Sequence, residues 1–179
     1  HKLHEQPKKV AVIGAGYIAV ELAGVLNGLG SDTSLFVRGD NALRSFDDML
    51  QQNLDKSMKH AGVKIVPQST TKEIVEENDG TFSLHLENGD VHRGFNAIIK
   101  ATGRTPITSK LGLESIGVKT LKSGHITVDD YQNTSVPNVY ALGDACDKFV
   151  DLTPMAIAAG RRLGDRLFGG PQYKESKAD

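Results

Sequence analysis

The feature that most constrains this chain is a short glycine-rich turn near its beginning. An apolar run, Lys9 to Ile13, is followed by Gly14-Ala15-Gly16-Tyr17-Ile18-Ala19 and then by apolar residues at helical spacing. The tight turn needs Gly14, close approach of the backbone to a phosphate needs Gly16, and close packing of helix on strand needs the small Ala19. Because the motif lies between a predicted strand and a predicted helix, it predicts a dinucleotide-phosphate site.

The next segment continues the alternation of strand and helix patterns. Thr33 to Val37 and Val63 to Val66 are predicted strands, and apolar residues at helical spacing predict a helix between them, with Ser45 as its N-cap. This β-α-β-α-β order predicts a parallel sheet with right-handed crossovers.

A change of pattern follows the third strand. Two turn signals, Asn78-Asp79-Gly80 and Asn88-Gly89-Asp90, predict three short antiparallel strands. A return strand is predicted at Ala97 to Ala101. Together with the first segment, this pattern predicts an α/β fold that combines a parallel sheet with an antiparallel meander.

The last third of the chain has a less regular pattern. A helical turn is predicted near Leu111 to Ile116, with strands near His125 to Val128 and Val139 to Leu142. The final helix is predicted over Pro154 to Phe168, with Thr153 as N-cap and the proline as the first helical residue.

Composition excludes several classes of partner. The net charge of −1 argues against nucleic acid or an anionic membrane surface as a standing partner, because both need a basic face. No apolar run is long enough to span a bilayer. The single cysteine, Cys146, excludes an internal disulfide and fits a reducing compartment, so a cytoplasmic protein is expected.

Two arginines follow the second predicted strand, where an NAD site usually has an acid that binds the ribose hydroxyls. Arg38 lies at the strand end and Arg44 lies six residues later. Guanidinium groups match the oxygens of a 2′-phosphate, which a carboxylate would repel. The pattern therefore predicts NADPH as the coenzyme. In the alternative interpretation, both arginines are ordinary surface cations and Asp40 binds the ribose.

Five separated motifs carry a resemblance to a known family. They are GAGYIAVELAG, FVRGDNALRSFD, ATGRTP, YQNTSVPNVYALGDA and LTPMAIAAGRRL. In this order they resemble the pyridine nucleotide–disulfide oxidoreductase family, class I, and within it the glutathione reductases, over about Glu5 to Phe168.

The resemblance implies a domain organisation and a larger protein. Residues 7–104 would form an NADPH-binding domain with a Rossmann-like sheet, residues 105–168 the C-terminal segment of an FAD-binding domain, and residues 169–179 a linker toward a dimerisation domain. The family's Cys-x-x-x-x-Cys pair and its His-Glu acid/base pair are not found in this chain. The chain is therefore expected to have no catalytic residue and no activity alone, and the intact protein is expected to be a homodimer.

The resemblance also implies cofactor-binding residues, and it implies no metal ligand. Tyr17 would cover the flavin until NADPH displaces it, and Glu21 would lie near the nicotinamide amide. Asp144 would bind the ribitol of FAD, and the backbone at Thr153 would face the flavin. The full NADP set comprises Gly14, Ala15, Gly16, Tyr17, Ile18, Glu21, Arg38, Arg44, Gly103, Arg104 and Asp151, and the FAD set comprises Asp144, Leu152 and Thr153.

The implied reaction is hydride transfer from NADPH to FAD, then reduction of a redox disulfide and of glutathione disulfide. The substrate is inferred from the resemblance alone.

The spacing from Asp144 to Thr153 is one residue longer than in many glutathione reductases and matches large thioredoxin reductases. Trypanothione reductase shares the arginine pattern, whereas dihydrolipoamide dehydrogenase would need an acid at Arg38. A stand-alone NADP-binding module without turnover is the alternative of a different class.

Overall fold

A computed structural model of the chain describes residues 3–148, 150–175 and 177. The chain divides into two compact units between Gly103 and Arg104. Among the described residues, none of the helices has the length and apolar character needed to cross a bilayer.

Over its described residues, 3–103, the first unit contains two helices and seven strands. In chain order they are β1 (Lys9–Ile13), α1 (Tyr17–Gly28), β2 (Asp32–Phe36), α2 (Asp48–His60), β3 (Lys64–Val66), β4 (Thr71–Glu76), β5 (Phe82–Leu86), β6 (Val91–Phe95) and β7 (Ala97–Lys100). Strands β3, β2, β1 and β7 form a parallel sheet in that order, and β4, β5 and β6 form an antiparallel sheet. The predicted α/β fold with a parallel sheet and a meander is confirmed.

Alternation along β1 explains how the two sheets and the helices are layered. Val10 and Val12 are fully buried in one cluster with Ala19, Ala23 and Leu26 of α1. Their neighbours Ala11 and Ile13 belong to a second cluster with Leu84 and Phe95 of the meander. Successive side chains of a strand point to opposite faces. The helices therefore cover one face of the parallel sheet, and the meander covers the other.

The start of α2 differs from the prediction. Ser45 was expected to be the N-cap, but the cap is Asp47, whose Oδ1 accepts a hydrogen bond from the Met49 amide at 2.9 Å. Phe46 lies in a preceding turn, in which its amide donates to the carbonyl oxygen of Leu43 at 2.8 Å. Because this turn holds Ser45 and Phe46 outside the helix, the carboxylate of Asp47 is the first side chain placed to cap it.

The second unit is built around α3 (Thr153–Phe168), with 3-10 helices at Glu114–Ile116, Gly143–Ala145 and Pro171–Tyr173. The strands predicted near His125 to Val128 and Val139 to Leu142 are wrong. These segments form isolated bridges, Ile126 with Thr120 and with Cys146, and Tyr140 with Asn133. Gln132 and Asn138, which lie close to the residues of the last bridge, have left-handed backbone, which lies outside the β region.

The N-terminus of α3 also differs by one residue from the prediction. Thr153 is the first helical residue, the N-cap is Leu152, and no side chain caps the helix. Thr153 therefore does not serve as the cap that the sequence pattern suggested. The apolar Leu152 side chain cannot accept a hydrogen bond. The amides in the first turn of α3 therefore have no side-chain acceptor at the N-cap.

Two polar side chains hold α3 against the loop before it. The amide of Gln132, which is fully buried, donates from Nε2 to the carbonyl oxygen of Ala159 at 2.7 Å. The guanidinium of Arg166 donates to the carbonyl oxygen of Tyr131 and, at 3.2 Å, to Asn133 Oδ1. These contacts fix α3 within the second unit at its middle and near its end.

Candidate dinucleotide site

The glycine turn between β1 and α1 is fixed by the packing of the first unit. Gly14 has φ +146°, and a Cβ at this position would lie 2.3 Å from the carbonyl oxygen of Ala101. Its amide donates to the carbonyl oxygen of Phe36 at 3.0 Å. Any side chain here would collide with the backbone that follows β7. The fold itself therefore requires glycine at this position.

Gly16 is different, because the fold does not require it. It is the N-cap of α1 with φ −86° and ψ 175°, which any residue can adopt, and a Cβ here would meet no protein atom within 4 Å. No side chain caps α1, and its first turn has no acidic residue. Open space above uncapped amides at the positive end of a helix fits a pyrophosphate.

Three predicted side chains stand on the first turn and a half of α1. Tyr17 is 46% exposed, Ile18 is half-buried and Glu21 is exposed. Residues 17 and 21 are four apart and residues 18 and 21 are three apart, so these side chains share one side of the helix. They lie next to the glycine turn and are accessible to a ligand there.

The loop from Val37 to Phe46 carries both predicted arginines. Arg38 and Arg44 are exposed, and neither has a hydrogen-bond or ion-pair partner among the described residues. Ala42, in the middle of the loop, is buried in the same cluster as α1. The loop is therefore anchored while its two cations remain available to an anion.

Asp40, the alternative ribose ligand, has a partner that the sequence pattern did not reveal. Its Oδ1 accepts a hydrogen bond from Gln68 Nε2 at 2.6 Å. Gln68 follows β3 and lies 28 residues away in sequence, so no local pattern could have identified it. In the alternative interpretation Asp40 binds the ribose, but in the structure its carboxylate already accepts a hydrogen bond from a side chain of the protein.

The remaining predicted residues fall in the second unit, except Gly103. Arg104, Asp144 and Asp151 line one cleft of about 390 Å³ together with Thr105, Pro106, Ile107, Thr108, Leu111, His125 and Ala145. Arg104 Nη1 lies 3.4 Å from Asp144 Oδ2. Leu152 and Thr153 follow Asp151 directly at the start of α3. Gly103 ends the first unit with φ +125° and no heavy atom near the position of a Cβ.

The sequence pattern did not identify two polar neighbours in this cleft. His125 lies at its wall, and its Nδ1 is 2.8 Å from Ser123 Oγ. Thr108 Oγ1 donates to the carbonyl oxygen of Gly124 at 2.6 Å. Both belong to the irregular part of the chain, where periodicity carries no signal.

Cys146 is unsuited to redox chemistry. Only 3% of its surface is exposed. Burial, followed by the negative charge of Asp147, raises the pKa of the Cys146 thiol from 9.0 to about 11. The thiolate is the reactive form of cysteine, so this thiol is protonated and unreactive near neutral pH. Among the described residues, no group of three His, Cys, Asp or Glu side chains could hold a metal ion.

A family model described as pyridine nucleotide-disulphide oxidoreductase matches residues 1–160. The chain belongs to this family. One relative is the glutathione reductase of Yarrowia lipolytica (strain CLIB 122 / E 150), which is 46% identical over 179 residues. The match covers 99% of this chain and 38% of the relative. The glutathione reductase of Schizosaccharomyces pombe (strain 972 / ATCC 24843) is 46% identical over 170 residues, 94% of this chain and 36% of the relative.

Solved structures of a flavoprotein disulfide reductase share this fold. The HOCl-induced flavoprotein disulfide reductase RclA from Escherichia coli matches with a TM-score of 0.85 and 25% identity over 95% of this chain and 38% of that chain. Its Cu(II) complex matches with a TM-score of 0.84 and 25% identity over 93% of this chain and 37% of that chain. The chain thus spans little more than a third of the length of these relatives and neighbours.

Proposed function

We propose that this chain is the NADPH-binding domain and part of the FAD-binding domain of a glutathione-disulfide reductase. Residues 7–104 would bind NADPH, residues 105–168 would complete the FAD-binding domain, and residues 169–179 would lead to a dimerisation domain. Family membership and the two glutathione reductases at 46% identity support this assignment.

One observation carries the choice of NADPH over NADH. The guanidinium groups of Arg38 and Arg44 are exposed and have no ion-pair partner within the described part of the chain, and their loop is bonded to the glycine turn that precedes the uncapped α1. A phosphate monoester carries about −1.5 to −2 charges at neutral pH. Arginine binds such a group through its planar fork of donors, and a charge-assisted contact is stronger than a neutral one. After discounting for solvent screening at an exposed site, two such contacts favour NADPH by at least about tenfold.

The residues on α1 would position the other half of the coenzyme. Gly14, Ala15 and Gly16 would present backbone to the pyrophosphate. Tyr17 would cover the flavin until NADPH displaces it, Ile18 would line the nicotinamide end, and Glu21 would accept a hydrogen bond from the nicotinamide amide group. The resemblance adds Gly103, Arg104 and Asp151 to the residues proposed to contact NADPH.

The second unit has features that fit part of a flavin site. The side chain of Asp144 is 44% exposed at the cleft and would accept hydrogen bonds from ribitol hydroxyl groups. Leu152 and Thr153 would present the uncapped amides of α3 to the flavin, where the helix N-terminus stabilises negative charge. When bound, the two cofactors supply hydride transfer and passage of electrons to a disulfide.

The redox-active disulfide is proposed to lie in another part of the protein. Cys146 is buried and protonated, so it cannot serve as the attacking thiol. The intact protein is proposed to be a cytoplasmic homodimer whose substrate is glutathione disulfide. The longer spacing from Asp144 to Thr153 favours thioredoxin as the second candidate substrate.

The test uses the full-length protein that contains this chain. We expect it to purify with bound FAD, to lose its visible flavin absorbance on anaerobic addition of NADPH, and to oxidise NADPH when glutathione disulfide is added. A colourless full-length protein would refute the proposal. Turnover with oxidised thioredoxin but not with glutathione disulfide would support the proposed cofactors and show that the proposed substrate is wrong.

A further inference from the structure

The loop that carries the two arginines also contains a single acid. Asp40 lies two residues after Arg38 and four before Arg44, and no other Asp or Glu occurs from residue 38 to residue 46. A free carboxylate at this place would weaken a phosphate site, because it would compete with the phosphate for a guanidinium.

Gln68 engages this carboxylate from the segment after β3. Its side-chain Nε2 donates to Asp40 Oδ1 at 2.6 Å, and its backbone amide donates to the carbonyl oxygen of Gly39 at 3.0 Å. The next residue continues the contact, because the amide of Ser69 donates to the carbonyl oxygen of Val37 at 2.9 Å. Side chain and backbone of this segment together fix the first part of the arginine loop.

The backbone of Gln68 indicates that its side chain is needed. Gln68 has φ +52°, a left-handed conformation that glycine adopts without cost and that a residue with a Cβ adopts only at a cost. Glycine at this position could make the backbone contact to Gly39 but not the bond to Asp40. A strained residue whose side chain makes a specific contact beside a candidate site points to a role in that site.

The donor is also of the right chemical type. The amide of Gln68 is neutral, so it occupies one oxygen of Asp40 without adding a third cation to the loop. Arg38 and Arg44 then have no ion-pair partner among the described residues. We propose that Gln68 is a positioning residue for coenzyme preference: by engaging Asp40, it keeps both arginines available to the 2′-phosphate of NADPH. This inference rests on the proposed function.

The test measures kcat/KM for NADPH and for NADH in the full-length protein. Gln68→Gly removes the side chain and keeps the left-handed backbone, so the fold is preserved. We expect the ratio of the two kcat/KM values to fall by about three- to fivefold, through a higher KM for NADPH with kcat unchanged. Adding Asp40→Asn to this variant should restore the ratio, because a neutral amide does not form an ion pair with arginine.

A matched control lies at the other end of the same strands. Lys64 Nζ and Asp32 Oδ1 form an exposed pair at 2.7 Å between β3 and β2, at the ends where these strands begin. Lys64→Met removes an ion pair that joins the same two strands away from the arginines, and it should leave the coenzyme ratio unchanged. A ratio that changes equally in this variant would assign the effect to general loosening and overturn the inference.

Three further outcomes would also overturn it. They are an unchanged ratio in Gln68→Gly, an equal loss of both coenzymes, and a lowered ratio that Asp40→Asn does not restore. The double variant Arg38→Ala/Arg44→Ala separates this inference from the proposed function. If it loses the preference while Gln68→Gly keeps it, only the role of Gln68 is wrong. If it keeps the preference, the phosphate-binding role of the arginines is wrong as well.

Discussion

The backbone amide of Leu43 donates a hydrogen bond to the carbonyl oxygen of Ala15 at 2.7 Å. This bond joins the arginine loop to the glycine turn, and Leu43 adopts φ +54° to make it. The neighbouring Ala42 is buried in the core. The parts of the site proposed for the pyrophosphate and for the 2′-phosphate are thus held in fixed relation by the backbone, while the charged side chains extend from it.

Gly14→Ala tests the structural part of the turn. A Cβ would lie 2.3 Å from the backbone oxygen of Ala101, which cannot move as a side chain can. We expect the variant to lose at least about 2 kcal/mol of unfolding free energy, measured by urea denaturation. Wild-type stability would show that the backbone after β7 does not pack against this turn as described.

Gly16→Ala tests the ligand-binding part of the same turn. The added methyl group meets no protein atom, so stability should stay within about 1 kcal/mol of wild type. Affinity for NADPH and NADH should fall together, because the methyl group occupies the space proposed for the pyrophosphate. Isothermal titration calorimetry measures both affinities. Unchanged binding of both coenzymes would place the pyrophosphate elsewhere.

Asp47→Ala tests the start of α2. The Asp47 carboxylate accepts a hydrogen bond from the Met49 amide, and loss of an N-cap of this kind costs about 1 kcal/mol. Ser45→Ala is the matched control, since Ser45 lies outside the helix and should change stability little. Thermal denaturation compares the two, and a larger loss in the Ser45 variant would contradict the observed cap.

The pH dependence of Cys146 follows from its raised pKa. Since its pKa is higher in the folded protein than the ordinary 9.0, the unfolded state releases the proton first as pH rises. The free energy of unfolding should therefore be unaffected by this group below pH 9.0 and should decline as the pH rises toward about 11. Cys146→Ser should show a smaller decline in urea titrations over this range. An equal decline would mean that the thiol does not contribute.

Local signals predicted the first unit well. The apolar run of β1, the turn residues before β5 and β6, and the Gly14 to Ala19 motif all act within a few residues, so the sequence alone reveals them. The start of α2 was missed because Ser45 and Asp47 are both good caps, and the Leu43 turn decides between them. The contact between Asp40 and Gln68 was missed because it joins two loops that only the parallel sheet brings together.

The second unit was harder to predict for a physical reason. Its apolar residues form a small cluster around Val118, Ile126 and Val128, and the segments pair through single bridges. The strand predicted near His125 does not form, because a short segment of sequence does not report whether a neighbouring strand exists to pair with it. The buried Gln132, which donates to the middle of α3, gives no sequence signal that separates it from a surface glutamine.

The most direct test of the central claim is the coenzyme preference of Arg38→Ala/Arg44→Ala in the full-length protein. Dissociation constants for NADPH and NADH should be measured at low and at high salt. The account predicts that NADPH binding weakens by at least about tenfold at low salt while NADH binding stays the same, with the difference shrinking as salt screens the phosphate. An equal loss for both coenzymes, or an unchanged preference for NADPH, would contradict it.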